Sequence, residues 1–414
     1  MTLVPLVPLE ESQAYVLARV GPIEPAPVDL GDCVGLALAD DVVAAEPVPP
    51  FANSAMDGYA VRSADVAAAT PADPIELKVV GEQPAGPLTG ARVGAGEAVR
   101  IMTGAGIPAG ADAIVIVEHT ETRGDVVVVR EPAGEHIRPA GGDVAVGDLV
   151  FPAGTEIGPA HVGVLATLGM AKVSVRRPSV AVLSTGDELV GPGEPLTPGA
   201  IRESNGPMLA ALLERTGCAT SIGVVADDEV AIEAALTDAM ATHDAVVTSG
   251  GVSMGEYDFV KVVLDRIADT RWFQIAIRPA KPFTFGVAAA PDGRSVPIFG
   301  LPGNPVSSFV SFEVLVRPAL RRMMGHRDLH RPVVRAVAAA DLTRRPDGKT
   351  HLDRVRVWHD AGRLMAERSG IQASNVLTAM ALANGLAFLP DGDGAAAGEE
   401  VDVMLLDLPR TLAP

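Results

Sequence analysis

Residues 179–228 read SVAVLSTGDELVGPGEPLTPGAIRESNGPMLAALLERTGCATSIGVVADD, and this stretch decides the fold class. SVAVLS is a short, wholly apolar run of the kind that forms a buried strand. NGPMLAALLERTG reads as a helix, with Asn205 placed to cap it and Gly217 to end it. TSIGVV is a second strand, and DDEVAIEAALTDAMATH a second helix with Asp227 or Asp228 as its cap. DAVVTSGG and DFVKVVLDRI repeat the alternation. RWFQIAI, PFTFGV and VPIFG then read as strands, and NPVSSFVSFEVLVRPALRRMMG as a long helix with Pro305 at its first position. Strands alternating with helices predict a doubly wound parallel sheet, whose ligands sit beyond the carboxyl ends of the strands.

Texture changes on either side. ESQAYVLARV and PAHVGVLATLGM are helical candidates flanking a Gly-rich run of short β-branched segments (IELKVVG, EAVRIMTG, DAIVIVEHT, DVVVVRE), which reads as an inserted β domain. Beyond Arg331 short strands return and predict a small C-terminal β-barrel. The expected division is 1–50 plus 144–178 for a split helical domain and 51–143 for the inserted β domain. The α/β sheet domain then takes 179–326 and the barrel 327–414. A chain of 414 residues is long for one core, consistent with several domains.

A formal charge of −19 argues against nucleic-acid or acidic-membrane binding, which needs clustered Lys and Arg. Two cysteines, Cys33 and Cys218, exclude a disulfide framework or a Cys-rich metal site and fit a reducing compartment. The N-terminus does not read as a signal peptide, and no run approaches the ~20 apolar residues of a membrane span. A cytoplasmic protein is expected.

The chemistry is expected where the strands end. SVAVLS runs into Thr185, Gly186, Asp187 and Glu188; TSIGVV runs into Asp227 and Asp228. DAVVTS runs through Ser249 into Gly250 and Gly251, then Ser253, Glu256 and Asp258. Carboxylates delivered to one sheet edge repel one another and call for a cation; oxygen-only ligands suit Mg²⁺. Gly250 and Gly251 would let backbone N–H groups approach an anion, and Asn304 with the helix start behind it would offer a second cradle. Arg278 and Lys281 add positive charge after a strand. Together these describe one pocket for a phosphoanhydride or another tetrahedral oxyanion. Taken singly, each has a plainer reading: caps for the aspartates and for Asn304, a tight turn for the glycines, a solvated face for the cations. Convergence at one edge favours the pocket.

VLSTGDELV, TSGGVSMGEYDFVK, IRPAKPFTFG and GLPGNPVSSFVSFE resemble the molybdopterin molybdenumtransferases (the MoeA family), including the E domain of gephyrin. FANSAMDGYAVR, RIMTGAGIPAGADAIVIVE, HIRPAGGDVAVGD and SGIQASNVLTAMALANGL carry the resemblance over nearly the whole chain. It implies a split elongated helical domain, an inserted β domain, a sheet domain of the molybdopterin-binding type and a C-terminal β-barrel. It implies insertion of molybdate into adenylylated molybdopterin with release of AMP, Mg²⁺ as cofactor, and molybdate as substrate. Asp187, Glu188, Asp227, Asp228 and Asp258 fall on the family's functional acidic positions, with Asp187, Glu188 and Asp258 as metal ligands. Asp57, Thr103, Arg138, Asp143, Ser249, Gly250, Gly251, Arg278, Lys281 and Asn304 become substrate-binding residues. Arg354 and Ser374 match positions that hold molybdate, and Arg278 stands where many members carry lysine. A homodimer is implied, whose site joins the sheet domain of one subunit to the inserted domain of the other. The upstream adenylyltransferase and molybdoenzyme apoproteins are further implied partners.

Overall fold

The computed structural model describes residues 5–251 and 259–409. They form two compact units. One takes the chain up to Asp40, then Ala153–Gly158 and everything from Lys172; the other takes Asp41–Pro152 and Pro159–Ala171.

The first unit is organised around a six-stranded sheet. Its order is Ala219–Val225, Ser179–Thr185, Ala245–Ser249, Ser295–Leu301, Pro282–Ala289 and Ala268–Gln274. The first four strands are parallel; Pro282–Ala289 runs antiparallel to both its neighbours, so that Ala268–Gln274 at the edge again points the way of the first four. The sequence predicted a parallel sheet throughout; the departure has a simple cause. No helix separates the three strands after residue 267, and a parallel return needs a crossover of a dozen residues or more, so these strands fold back on themselves. Helices Asn205–Thr216, Glu229–Thr242 and Phe259–Ile267 provide the crossovers on the parallel side. The first ends where Gly217 turns left-handed (φ 99°), as its position predicts. Ile232, Leu236 and Met240 of the second helix and Val260, Val263 and Leu264 of the third bury against Ala181, Val246 and Ile298 of the sheet. Each such aliphatic side chain contributes roughly 1.5–3 kcal/mol relative to exposure.

The long helix begins with Pro305 and continues to Met323, but it is not uniform. Pro305–Ser311 is α-helical, Phe312–Val316 widens into a π turn, and Arg317–Met323 resumes. Pro318 has no N–H to give the carbonyl of Val314, four residues earlier. Gln13 Nε2 fills the gap at 2.8 Å. The same turn presents Glu313, whose carboxylate is paired in a bidentate fashion with Arg331 (2.5 and 2.9 Å). Both partners are largely shielded from water, with 1% and 13% of their side chains exposed.

The C-terminal strands close a barrel. Thr350–Asp360 pairs with Arg363–Arg368 on one side and with Gly385–Leu389 on the other; Val333–Ala338 and Glu400–Leu405 complete the ring of five. Ile277–Arg278 attaches in parallel to the Thr350–His351 end of the long strand. The second unit contains a six-stranded sheet ordered Ala113–Ile116, Gly58–Val61, Glu97–Ile101, Ile75–Gln83, Val126–Val129, Thr120–Arg123. No helix among the described residues is long and apolar enough to cross a membrane.

Candidate functional site

A cavity of about 730 Å³ opens beyond the carboxyl ends of the parallel strands. Ser184, Glu188, Asp227, Ser249, Gly251 and Asn304 are among its lining residues. The acidic side forms where the first two strands end. Gly186 has φ 151°, a backbone conformation that side-chain-bearing residues rarely adopt, and a Cβ there would push the Glu188 carboxylate, 2.7 Å away, aside. Asp187 accepts a hydrogen bond from the Asp227 N–H at 3.1 Å, which ties the two strand ends together. Asp228 is the helix cap, accepting from the N–H groups of Val230 and Ala231. Burial, then the charges on Asp187, Glu188 and Asp228, hold the Asp227 carboxyl above its ordinary range.

Among the described residues none of these four carboxylates forms a salt bridge, although Arg202 also lines the cavity. Oxygen donors in this state fit a hard divalent cation. No group of three or more metal-ligating side chains assembles among the described residues. Asp258, named as a ligand and catalytic residue from the sequence, lies outside them, as do Ser253 and Glu256.

The glycine side differs from expectation in two details. The Gly250 N–H is already engaged by the Leu301 carbonyl at 3.1 Å, so this amide is not offered to an anion. At the long helix, the Val306 N–H donates to the Ser374 carbonyl at 3.2 Å, so the cradle read at Asn304 also has a donor occupied. What glycine provides at 250 is room. Its φ of 97° is left-handed, and a Cβ would meet the Thr185 carbonyl oxygen at 2.9 Å.

Sequence reasoning missed the segment Glu203–Asn205. Asn205 does not cap its helix; the N-cap is Ser204, without a side-chain bond, and the Glu203 carboxylate takes the Gly206 N–H at 2.7 Å. Glu203 also accepts from Ser184 Oγ at 3.1 Å. Asn205, freed from capping, donates to Ser249 Oγ and to the Gly303 carbonyl, both at 2.8 Å. The available signal was the polar triplet ESN placed just before a helix in a strand–helix alternation.

Arg278 and Lys281 do not line the acidic cavity, whose cation is Arg202. Arg278, Lys281 and Ser374 share a second cavity of about 420 Å³, with Ser307 and Asp347 in its wall. Arg278 and Arg354 share a third of about 440 Å³ with Arg344, His351 and Arg368. The single pocket read from the sequence is thus three adjoining hollows, with Pro305 lining the first and Ser307 the second. Burial lowers the Arg354 pKa, and its guanidinium reaches the carbonyls of Ile371 and Ala373 at 3.3 and 3.2 Å. Asp347 is 3.7 Å from Arg278. Burial alone would raise the Asp347 carboxyl, but hydrogen bonds from Lys349 and His351 outweigh it and hold the group at about 2.

In the second unit, Asp57 accepts from the N–H and the hydroxyl of Thr103 at 2.7 and 2.8 Å. These two bonds hold its carboxyl below the usual range. Arg138, on a two-residue strand paired with Asn53–Ser54, is exposed, and so is Asp143. Neither touches the Asp57–Thr103 pair through a hydrogen bond or salt bridge among the described residues.

An acidic hollow at the strand ends of an α/β sheet, adjoined by cation-lined hollows against a β-barrel, defines a multidomain protein built to handle anionic substrates. Three family models cover the chain in order: the MoeA N-terminal region (domain I and II) over residues 7–169, a probable molybdopterin binding domain over 181–322, and the MoeA C-terminal region (domain IV) over 335–406. The chain belongs to the MoeA family and is an enzyme of molybdenum cofactor biosynthesis, of the molybdopterin molybdenumtransferase type. It is 43% identical over 407 residues to molybdopterin molybdenumtransferase 2 of Mycobacterium tuberculosis, covering 95% of this chain and 98% of that one. The molybdopterin molybdenumtransferase of Staphylococcus aureus is 36% identical over 408 residues, with 97% and 96% covered. The crystal structure of the molybdopterin biosynthesis moeA protein of Pyrococcus horikoshii superposes with a TM-score of 0.80 at 31% identity, covering 97% of this chain and 100% of that one.

Proposed function

We propose that the enzyme inserts molybdate into adenylylated molybdopterin and releases AMP, in a reaction that depends on Mg²⁺. The observation that carries this reading is the pairing of an acidic cavity, whose carboxylates form no salt bridge among the described residues, with cation-lined cavities on the same unit. Asp187 and Glu188 would hold Mg²⁺ together with Asp258, and the ion would neutralise charge on the phosphoanhydride as its bond breaks. Asp227 and Asp228 hold this acidic turn in place through the backbone bond to Asp187 and the helix cap. Ser249, the Gly250–Gly251 turn and Asn304 line the space for the phosphates. Arg278, Lys281, Ser374 and Arg354 bind the molybdate dianion; the two dithiol sulfurs of the pterin bond to molybdenum as one oxo ligand leaves as water, carrying the two thiol protons. Water then cleaves the anhydride, giving AMP and the pterin monophosphate that carries molybdenum.

A homodimer is part of this proposal, with Asp57, Thr103, Arg138 and Asp143 supplied to the substrate by the other subunit, and so is a cytoplasmic location. AMP release from adenylylated molybdopterin is the deciding assay, run with Mg²⁺, with and without molybdate. Molybdate-dependent release is expected in the wild type. Asp187→Ala and Glu188→Ala should abolish it while leaving the circular dichroism spectrum intact. Unchanged turnover in both variants would defeat the assignment.

A further inference from the structure

We propose that Asn205 is a positioning residue that aims the hydroxyl proton of Ser249 at a phosphate oxygen of the substrate. The inference rests on the nucleotide reading of the acidic cavity and adds to it a residue that reading did not need. Both side chains line that cavity, and they are 9% and 2% exposed.

Which atoms can donate decides the orientation of both side chains. Asn205 Nδ2 carries two protons, and both have partners at 2.8 Å, Ser249 Oγ and the Gly303 carbonyl. The Gly303 carbonyl only accepts. Flipping the amide would set two acceptor oxygens 2.8 Å apart, so nitrogen must lie there and the orientation is fixed. Ser249 Oγ therefore accepts from Asn205, and its own proton is left to donate elsewhere. Among the described residues no acceptor takes it. The amide also carries a cost that capping would have spared it, because Asn205 Oδ1 is buried without a donor among the described residues.

The neighbouring strand supplies a contrast. Ser184 stands opposite Ser249 in the parallel register. Its hydroxyl donates to Glu203 Oε1 at 3.1 Å, and Glu203 is fixed in turn by the Gly206 N–H. One serine's proton is absorbed by the protein and the other's is left for the cavity. Two residues apart in the chain, Glu203 and Asn205 set these opposite outcomes. A hydroxyl donor beside a glycine turn suits an oxyanion acceptor, a phosphate ester or anhydride.

The test is a double-mutant cycle on the full chain, with AMP and adenosine as probes in calorimetric titration. Ser249→Ala and Asn205→Ala should each weaken AMP binding by about 10- to 100-fold, the range for a lost hydrogen bond to a charged group, and change adenosine binding little. The double variant should bind AMP no worse than the weaker single variant, because Asn205 acts through Ser249. If Asn205→Ala does not fold, the isosteric Asn205→Asp takes its place. Its added charge weakens AMP in either background, and only the part of the loss that requires Ser249 counts. Losses that multiply, or that are equal for AMP and adenosine, would mark Asn205 as merely structural and overturn the proposal. A wild type that binds AMP while Asn205→Ala binds it equally well also overturns it. A wild type that binds no AMP removes the nucleotide reading itself, and this inference with it.

Discussion

Replacing Gly250 with alanine isolates the demand that the cavity makes on its backbone. The residue sits at φ 97°, and a Cβ would lie 2.9 Å from the Thr185 carbonyl oxygen and 3.0 Å from Thr185 Oγ1. The left-handed backbone costs an L-residue roughly 1–2 kcal/mol. The overlap adds roughly 1–3 kcal/mol, because the nearest atom is backbone and cannot rotate away. Gly250→Ala should therefore destabilise the enzyme by about 2–5 kcal/mol. Gly303 supplies the control. A Cβ there comes no closer than 3.9 Å to Gly250 Cα, and no left-handed φ is involved. Gly303→Ala should be neutral or stabilising by about 0.4–1 kcal/mol, through the unfolded chain alone. Both variants are compared with wild type by urea unfolding, and AMP release is measured on each. Activity should fall further in Gly250→Ala than stability does, since the strained turn adjoins Ser249. Equal stability of the two variants would refute the reasoning, because it would mean that the turn at 250 relaxes freely.

Other expectations follow from the same geometry. Arg331→Met leaves Glu313 buried without its partner and should cost about 3–5 kcal/mol, whereas the double variant with Glu313→Leu should recover most of it in the same unfolding assay. Gln13→Leu orphans the Val314 carbonyl at the π turn and should cost about 1–3 kcal/mol, while Gln13→Glu, which also removes the donor, should do no better. Thr103→Val removes one of the two bonds that depress Asp57, so the Asp57 carboxyl, followed by carbon NMR, should titrate at higher pH than in wild type. A depressed folded pKa means that the Asp57 contribution is present above the unfolded value. It is lost as pH falls through the folded one, and the variant should lose it earlier in an acid titration.

The alternating pattern from Ser179 onward was legible because each parallel strand is a short apolar run and each crossover helix carries its own stop or cap, as at Gly217 and Asp228. The acids at 187, 188 and 227 were legible for the same reason: a residue just past a parallel strand has only one edge to occupy. The antiparallel end of the sheet was misread because chain direction depends on the absence of a crossover helix, which apolar runs alone do not signal. Asn205 was misread because its partners lie 44 and 98 residues away, so a helix cap was the only local explanation. The separation of Arg278 and Lys281 from the acids was hidden as well. Arg278 and Lys281 follow a strand, but Arg278 is drawn into the parallel pairing with Thr350–His351, a contact that no spacing rule anticipates.

That pairing has a consequence for how the enzyme can be divided. Arg278 belongs by sequence to the sheet domain and by hydrogen bonding to the barrel. The Ser374 carbonyl, from the barrel side, completes the start of the sheet domain's long helix. A fragment ending near residue 326 would keep the acidic hollow yet lose Arg354 and Ser374, and it would release Arg278 from its anchor. The molybdopterin-binding module is thus separable in sequence but not in chemistry. The barrel supplies a wall, and on the proposed reading a chain that shed it would retain a nucleotide pocket without the barrel residues meant to hold molybdate beside it.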